Sequence, residues 1–105
     1  MYQCLVCGFS FLEEQPYDKD YIGGFEICGC CGFQYGYDDY DRPDINYKQR
    51  SKEEAVMLSH KIYREEWRQQ GFPVFDPSLF DKRDILNGCL SVVSMNEHLK
   101  KRGLL

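Results

Sequence analysis

No apolar run in this chain approaches the ~20 residues that a membrane-spanning helix needs. The opening residues Met1-Tyr2-Gln3-Cys4 lack the basic stretch and apolar stretch of a secretory signal. No low-complexity linker divides the chain, and no internal repeat covers it beyond two short cysteine segments. There is no Ser/His/Asp arrangement, no glycine-rich phosphate loop and no His-Glu-x-x-His pattern, so no enzyme is expected. Positive charge is scarce in the first half of the chain. Residues 1–50 carry four basic and nine acidic side chains, residues 51–105 nine basic and eight acidic, and the net charge is -4. Phosphate backbones are bound through clustered Lys and Arg. The acidic first half argues against nucleic acid, and Lys100-Lys101-Arg102 is too short to reverse that.

Apolar residues make up 43% and aromatics 15% of the 105 residues, enough for one small core. At this length a metal would help to hold it. Six cysteines are present, and two segments share one pattern: Cys4-Leu5-Val6-Cys7-Gly8 and Cys28-Gly29-Cys30-Cys31-Gly32. The spacing is C-x2-C-x20-C-x2-C, which reads as a zinc ribbon. Two thiolates three residues apart grip one metal from a tight turn. The glycine after each pair tolerates the positive φ that such a turn needs. Cys4, Cys7, Cys28 and Cys31 are therefore the expected ligands of one Zn²⁺ in a closed tetrahedral site. Such a site would carry two further negative charges. A Cys28/Cys30 pairing is open too, but only Cys28/Cys31 repeats the first segment. Cys30 is then a spare thiol facing solvent, and Cys89 a small buried apolar residue. The ribbon begins almost at Met1, leaving no room for a leader, and thiols persist in reducing compartments. A cytoplasmic location is expected.

Phe9 and Phe11, Phe25 and Ile27, and Phe33, Tyr35 and Tyr37 alternate with period two, predicting short antiparallel strands with one buried face. Gly23-Gly24 marks the turn between them. Residues 38–50 read as an acidic connecting loop. Ser51 and Glu54 form a capping box that starts a helix over 51–71. Its apolar stripe is Ala55, Leu58, Ile62 and Trp67, with Val56, Met57 and Tyr63 beside it. Gly71 and Pro73 stop it. In residues 72–105, Phe72, Val74, Phe75, Leu79 and Phe80 are expected to pack back on the helix or ribbon. Leu86–Gly88 reads as the end of a short helix, and Ser94 with Glu97 as the start of another. The expected whole is one small α+β domain: an N-terminal zinc ribbon (1–37) against one long helix, with short C-terminal helices.

The run Asp38-Asp39-Tyr40-Asp41-Arg42-Pro43-Asp44 fails the EF-hand template, since Asp44 stands where Gly is needed and Arg50 where Glu is needed. It reads as a solvated loop. Tyr35, Tyr37, Asp38, Asp39 and Tyr40 are its candidate protein-partner surface, because tyrosine is enriched at interfaces. His60 and His98 read as ordinary surface or boundary histidines.

Three segments resemble a known group. They are Tyr2-x-Cys4-x-x-Cys7-Gly8-Phe9; then Glu26-Ile27-Cys28-x-Cys30-Cys31-Gly32-Phe33-x-x-Gly36-Tyr37-Asp38-Asp39; then Tyr63-Arg64-x-x-Trp67-x-x-x-Gly71. Together they are similar to small uncharacterised bacterial cysteine-rich zinc-ribbon proteins of the Cys-Pro-Cys-Cys type, over roughly residues 1–75. Gly29 and Leu5 stand where that group usually has proline, neither at a ligand position. The resemblance implies a bacterial, cytosolic zinc-ribbon protein and supplies no activity. The expected function is a non-enzymatic, zinc-binding protein-interaction module. Rubredoxins share the paired cysteine segments but have a longer gap between them and a shorter chain. A rubredoxin-like iron electron carrier is the alternative, and a nucleic-acid-binding zinc ribbon a second one.

Overall fold

A computed structural model describes residues 1–105. Its regular elements are helix α1 (Lys52–Gln69), a hairpin of strands β1 (Ile85–Leu86) and β2 (Cys89–Leu90), and helix α2 (Val92–Lys101). Three single turns of 3₁₀ helix lie at Tyr47–Gln49, Pro77–Leu79 and Lys82–Asp84. The class is α+β.

Local rules explain both helices. Ser51 Oγ accepts from Glu54 N–H, satisfying one of the free donors of the first turn of α1. It also donates to the Glu54 carboxylate. At the other end Gly71 N–H reaches Arg68 O and Phe72 N–H reaches Trp67 O. That is a Schellman stop, and it sets Gly71 at φ 87°. The ring of Phe72 meets Trp67 edge-on at 4.9 Å, supplying the apolar contact such stops carry. The end of α2 repeats the device, with Gly103 N–H to Lys100 O and Leu104 N–H to Leu99 O. Its N-cap is Ser91, three residues before the expected Ser94.

Two expectations about strands change. The cysteine region has no continuous strands, only isolated bridges Tyr2–Leu12, Tyr17–Gly23 and Ile27–Gln34. The tight turns consume the backbone pairing that longer strands would use. Phe25 and Ile27 are exposed, although Phe33 and Tyr35 are buried. Between them Glu26 turns the other way, and its carboxylate accepts from Glu13 and Glu14 N–H. The expected helix end at Leu86–Gly88 is instead a hairpin turn. Asn87 and Gly88 both have positive φ, 54° and 79°, as a type I′ turn requires.

The core cluster holds sixteen residues from Cys4 to Leu99, and five of them are cysteines. Only 23 of 105 residues are buried, so cysteine turns, not a large apolar interior, form the centre. Both helices and the tail pack on them. Phe80 meets Phe9 and Phe11 edge-on at 5.5 and 5.3 Å. Of the other tail residues, Phe72 is buried and Val74 partly so, whereas Phe75 and Leu79 are exposed. No helix is long and apolar enough to cross a membrane.

Candidate metal centre

The two cysteine turns are built alike. In the first, Gly8 N–H donates to Cys4 O and Cys4 N–H to Phe9 O; in the second, Gly32 N–H donates to Cys28 O and Cys28 N–H to Phe33 O. Gly8 and Gly32 take φ 83° and 80°, values that L side chains seldom adopt. These turns bring the Sγ atoms of Cys4, Cys7, Cys28 and Cys31 within 4.8 Å of one another, all four buried. Cys4 Sγ lies 3.8 Å from Cys31 Sγ, and Cys7 Sγ 3.7 Å from Cys28 Sγ. The four could hold a metal ion.

As free thiols they share charge poorly. Bonds from Cys28, Cys31 and Cys7 push Cys4 far down, while burial pushes Cys7 and Cys31 up. Cys31 lowers Cys28, but Cys4, Cys7 and burial together raise it. One thiolate is thus tolerated beside three thiols. A divalent cation removes the conflict, because thiolate is the ligand form.

Around the sulfurs lies a shell of donors aimed at the carbonyls of the turns. Arg64 on α1 donates through Nε to Val6 O at 2.6 Å and through an Nη to Leu5 O at 3.1 Å. His98 Nε2 lies 2.8 Å from Cys7 O, and Arg102 Nε donates to Gly8 O at 2.8 Å, both from the end of α2. On the second turn Tyr63 Oη donates to Cys31 O, while Phe75 N–H and Asp76 N–H serve Cys30 O and Gly29 O. Tyr35 is in the cage wall. Its hydroxyl accepts from Leu5 N–H at 2.9 Å and lies 3.0 Å from Cys4 Sγ, so its own proton points at the sulfur. Burial and the Cys4 charge raise its pKa and keep that proton in place.

The buried face of α1 differs from the apolar stripe of the sequence. The expected stripe residues Leu58 and Ile62 are only half-buried, whereas Val56, Ser59, His60 and Trp67 are buried. Ser59 Oγ donates to Val56 O within α1, and the two donors to the cage backbone, Tyr63 and Arg64, are half-buried beside this face. His60 is not a surface residue. It lies against Phe33 and Tyr17, and its Nε2 is 2.9 Å from Tyr17 Oη, which donates to Asp39 Oδ2 at 2.5 Å. Since Tyr17 gives its one proton to Asp39, His60 Nε2 carries the hydrogen.

The candidate partner surface divides. Tyr37 is exposed, and Asp38 and Tyr40 are half-buried. Tyr35 and Asp39 are buried, and so cannot face a partner. Asp39 Oδ2 also accepts Gly36 N–H, and the Asp39 carbonyl accepts from Tyr47 Oη. The acidic loop is anchored by these bonds and by buried Ile45, and is not simply solvated. Cys30 is fully buried, not solvent-facing, and stands outside the four-sulfur group. Cys89 is half-buried. Arg64, His98 and Arg102 carried no signal in local sequence, because their partners lie 58 to 94 residues away.

Fold and site together define a small α+β protein centred on a buried four-cysteine cluster that could hold a metal ion. No family model and no solved structure matches the chain. It is 30% identical over 105 residues to the uncharacterized protein YoaQ of Bacillus subtilis (strain 168), covering 98% of this chain and 87% of YoaQ. It is 29% identical over 79 residues to the uncharacterized protein YozI of the same strain, covering 73% of this chain and 64% of YozI. The chain belongs to the family of YoaQ. The resemblance to uncharacterised bacterial proteins agrees with these relatives.

Proposed function

We propose that the chain is a zinc-binding, non-enzymatic protein-interaction module of the zinc-ribbon type, in which the metal is structural. The observation that carries this reading is the sulfur spacing. A tetrahedron with metal–sulfur bonds of about 2.3 Å has edges of about 3.8 Å. Two of the sulfur pairs stand at 3.8 and 3.7 Å. Four buried thiolates complete the coordination and leave no position for a substrate, the pattern of a structural site. Protein partnership is supported by apolar side chains held outward on the cysteine half: Ile22, Phe25, Ile27 and Tyr37 are all exposed. Phe25 does so at φ 63°, a conformation unfavourable for a bulky residue.

Metal analysis of protein prepared under reducing conditions tests the reading. We expect about one zinc per chain and no visible absorption. Stoichiometric iron with visible charge-transfer bands would replace it with an electron carrier. Serine at Cys4, Cys7, Cys28 or Cys31 should release the metal, and serine at Cys30 or Cys89 should retain it. Release by Cys30→Ser but not by Cys31→Ser would show the second pair to be misassigned.

A further inference from the structure

Val56, Met57, His60, Lys61 and Arg64 of α1 line a cavity of about 550 Å³. Their spacing follows one face of a helix. The first cysteine turn adds Leu5 to the wall, and the residues after α2 add Leu104. The volume falls in the range of small-molecule sites, roughly 300–1,000 Å³. Seven of the eleven lining residues are hydrophobic.

Two features say what would fill it. First, the chain carries seventeen acidic side chains, yet none lines this cavity, whereas Lys61 and Arg64 both do. Second, neither cation is committed to a carboxylate. The ion pairs of the molecule use Arg42, Arg68 and Arg83 only. Arg64 spends Nε and one Nη on the first cysteine turn, and its other Nη has no partner.

We propose that this cavity is a binding site for a small amphiphilic organic anion, a carboxylate on an apolar body, with Lys61 and Arg64 at its head and Met57, Val56 and Leu104 along its body. The apolar wall gives affinity that does not depend on charge, and the cation pair sets the sign of the ligand. Arg64 ties the site to the first cysteine turn, whichever metal the cage holds.

Calorimetric titration of the metal-loaded chain with submicellar decanoate, decanol and decylammonium tests this. Decanoate should bind, decanol about tenfold more weakly, the worth of one charge-assisted hydrogen bond, and decylammonium more weakly still. Lys61→Glu and Met57→Asp lie at exposed positions and should each weaken decanoate binding about tenfold without altering circular dichroism. In proton NMR, decanoate should shift the ring signals of His60 and leave those of His98 unmoved. The proposal is overturned if decanoate and decanol bind alike, if decanoate fails to bind at millimolar concentration, or if Lys61→Glu binds it as tightly. Binding to anionic lipid vesicles without binding of free decanoate would also overturn it, since the surface and not the cavity would then be the site.

Discussion

At the residue scale, the site rests on polar side chains placed where a packed interior would normally exclude them. Tyr35 illustrates the reason. Its hydroxyl satisfies Leu5 N–H and points a proton at Cys4 Sγ, so it acts on backbone and sulfur at once. Tyr35→Phe keeps the ring and removes both bonds. We expect metal affinity to fall roughly 10–100-fold, the usual effect of losing a partner of a ligand; chelator competition measures it, and an unchanged affinity would reduce Tyr35 to a brace for Leu5. His60 makes a second case. Burial lowers its pKa from the ordinary 6.5 to about 4. Cys4 opposes that shift and Arg64 adds to it. The sign follows directly: the unfolded chain takes up a proton near pH 6.5 that the folded chain refuses until about pH 4. His60 therefore favours folding fully above pH 6.5, and that contribution is lost as pH falls toward 4. The total change is roughly 3 kcal/mol. Ligand protonation destabilises in the same direction, so the test is a difference. His60→Gln keeps an N–H for Tyr17 and cannot titrate, and should lose less stability than the parent between pH 7 and pH 5.

At the element scale, each helix is ended by its own residues but held by others. The N-cap of α1 is Ser51 and its C-terminal stop is Gly71. Ser51→Ala should destabilise by about 1 kcal/mol through loss of the cap. At Gly71 a methyl group would meet nothing within 4 Å, so only the φ of 87° matters. Gly71→Ala should therefore cost about 1–2 kcal/mol in backbone strain alone. The two ends lie about 27 Å apart at 1.5 Å per residue, and the double mutant should show the sum within experimental error. Urea unfolding with an unchanged m-value checks all three; marked non-additivity would mean that α1 is coupled end to end through the cysteine turns. Gly23 behaves differently, because a methyl group there would run into the backbone of Tyr35 and Gly36. Its glycine is required by close approach of two segments, not by φ.

Across the whole molecule, the cage and the helices depend on one another. Arg64 and Tyr63 of α1, with His98 and Arg102 at the end of α2, all terminate on carbonyls of the cysteine turns. Remove the order in those turns and four side chains lose their partners. A structural zinc contributes of order 10 kcal/mol at neutral pH, comparable with the ~5–15 kcal/mol stability of a whole domain. Chelation should therefore melt the helices together with the turns, as one transition in far-UV circular dichroism and in Trp67 fluorescence. Full helical signal in the metal-free protein would show that the helical part stands alone.

Some of this was written in the chain itself. The Cys-x-x-Cys-Gly pairs, Ser51 before the helix and Gly71 after it were legible because each satisfies backbone groups only a few residues away. The Asn87-Gly88 turn obeys an equally local rule and was open to the same reading. The inner face of α1 was not legible. Apolar periodicity favours Leu58 and Ile62, but the buried positions include Ser59 and His60, since Ser59 closes its hydroxyl on Val56 O of the same helix and His60 packs on the rings of Phe33 and Tyr17 and bonds the Tyr17 hydroxyl. The burial of Tyr35 and Asp39, and the exposure of Phe25 and Ile27, likewise turned on partners remote in sequence. What the residues settle alone is where the backbone turns and stops. Tertiary structure decides which side chains the cage recruits, because a carbonyl pulled outward by a tight turn must find its donor wherever the folded chain brings one.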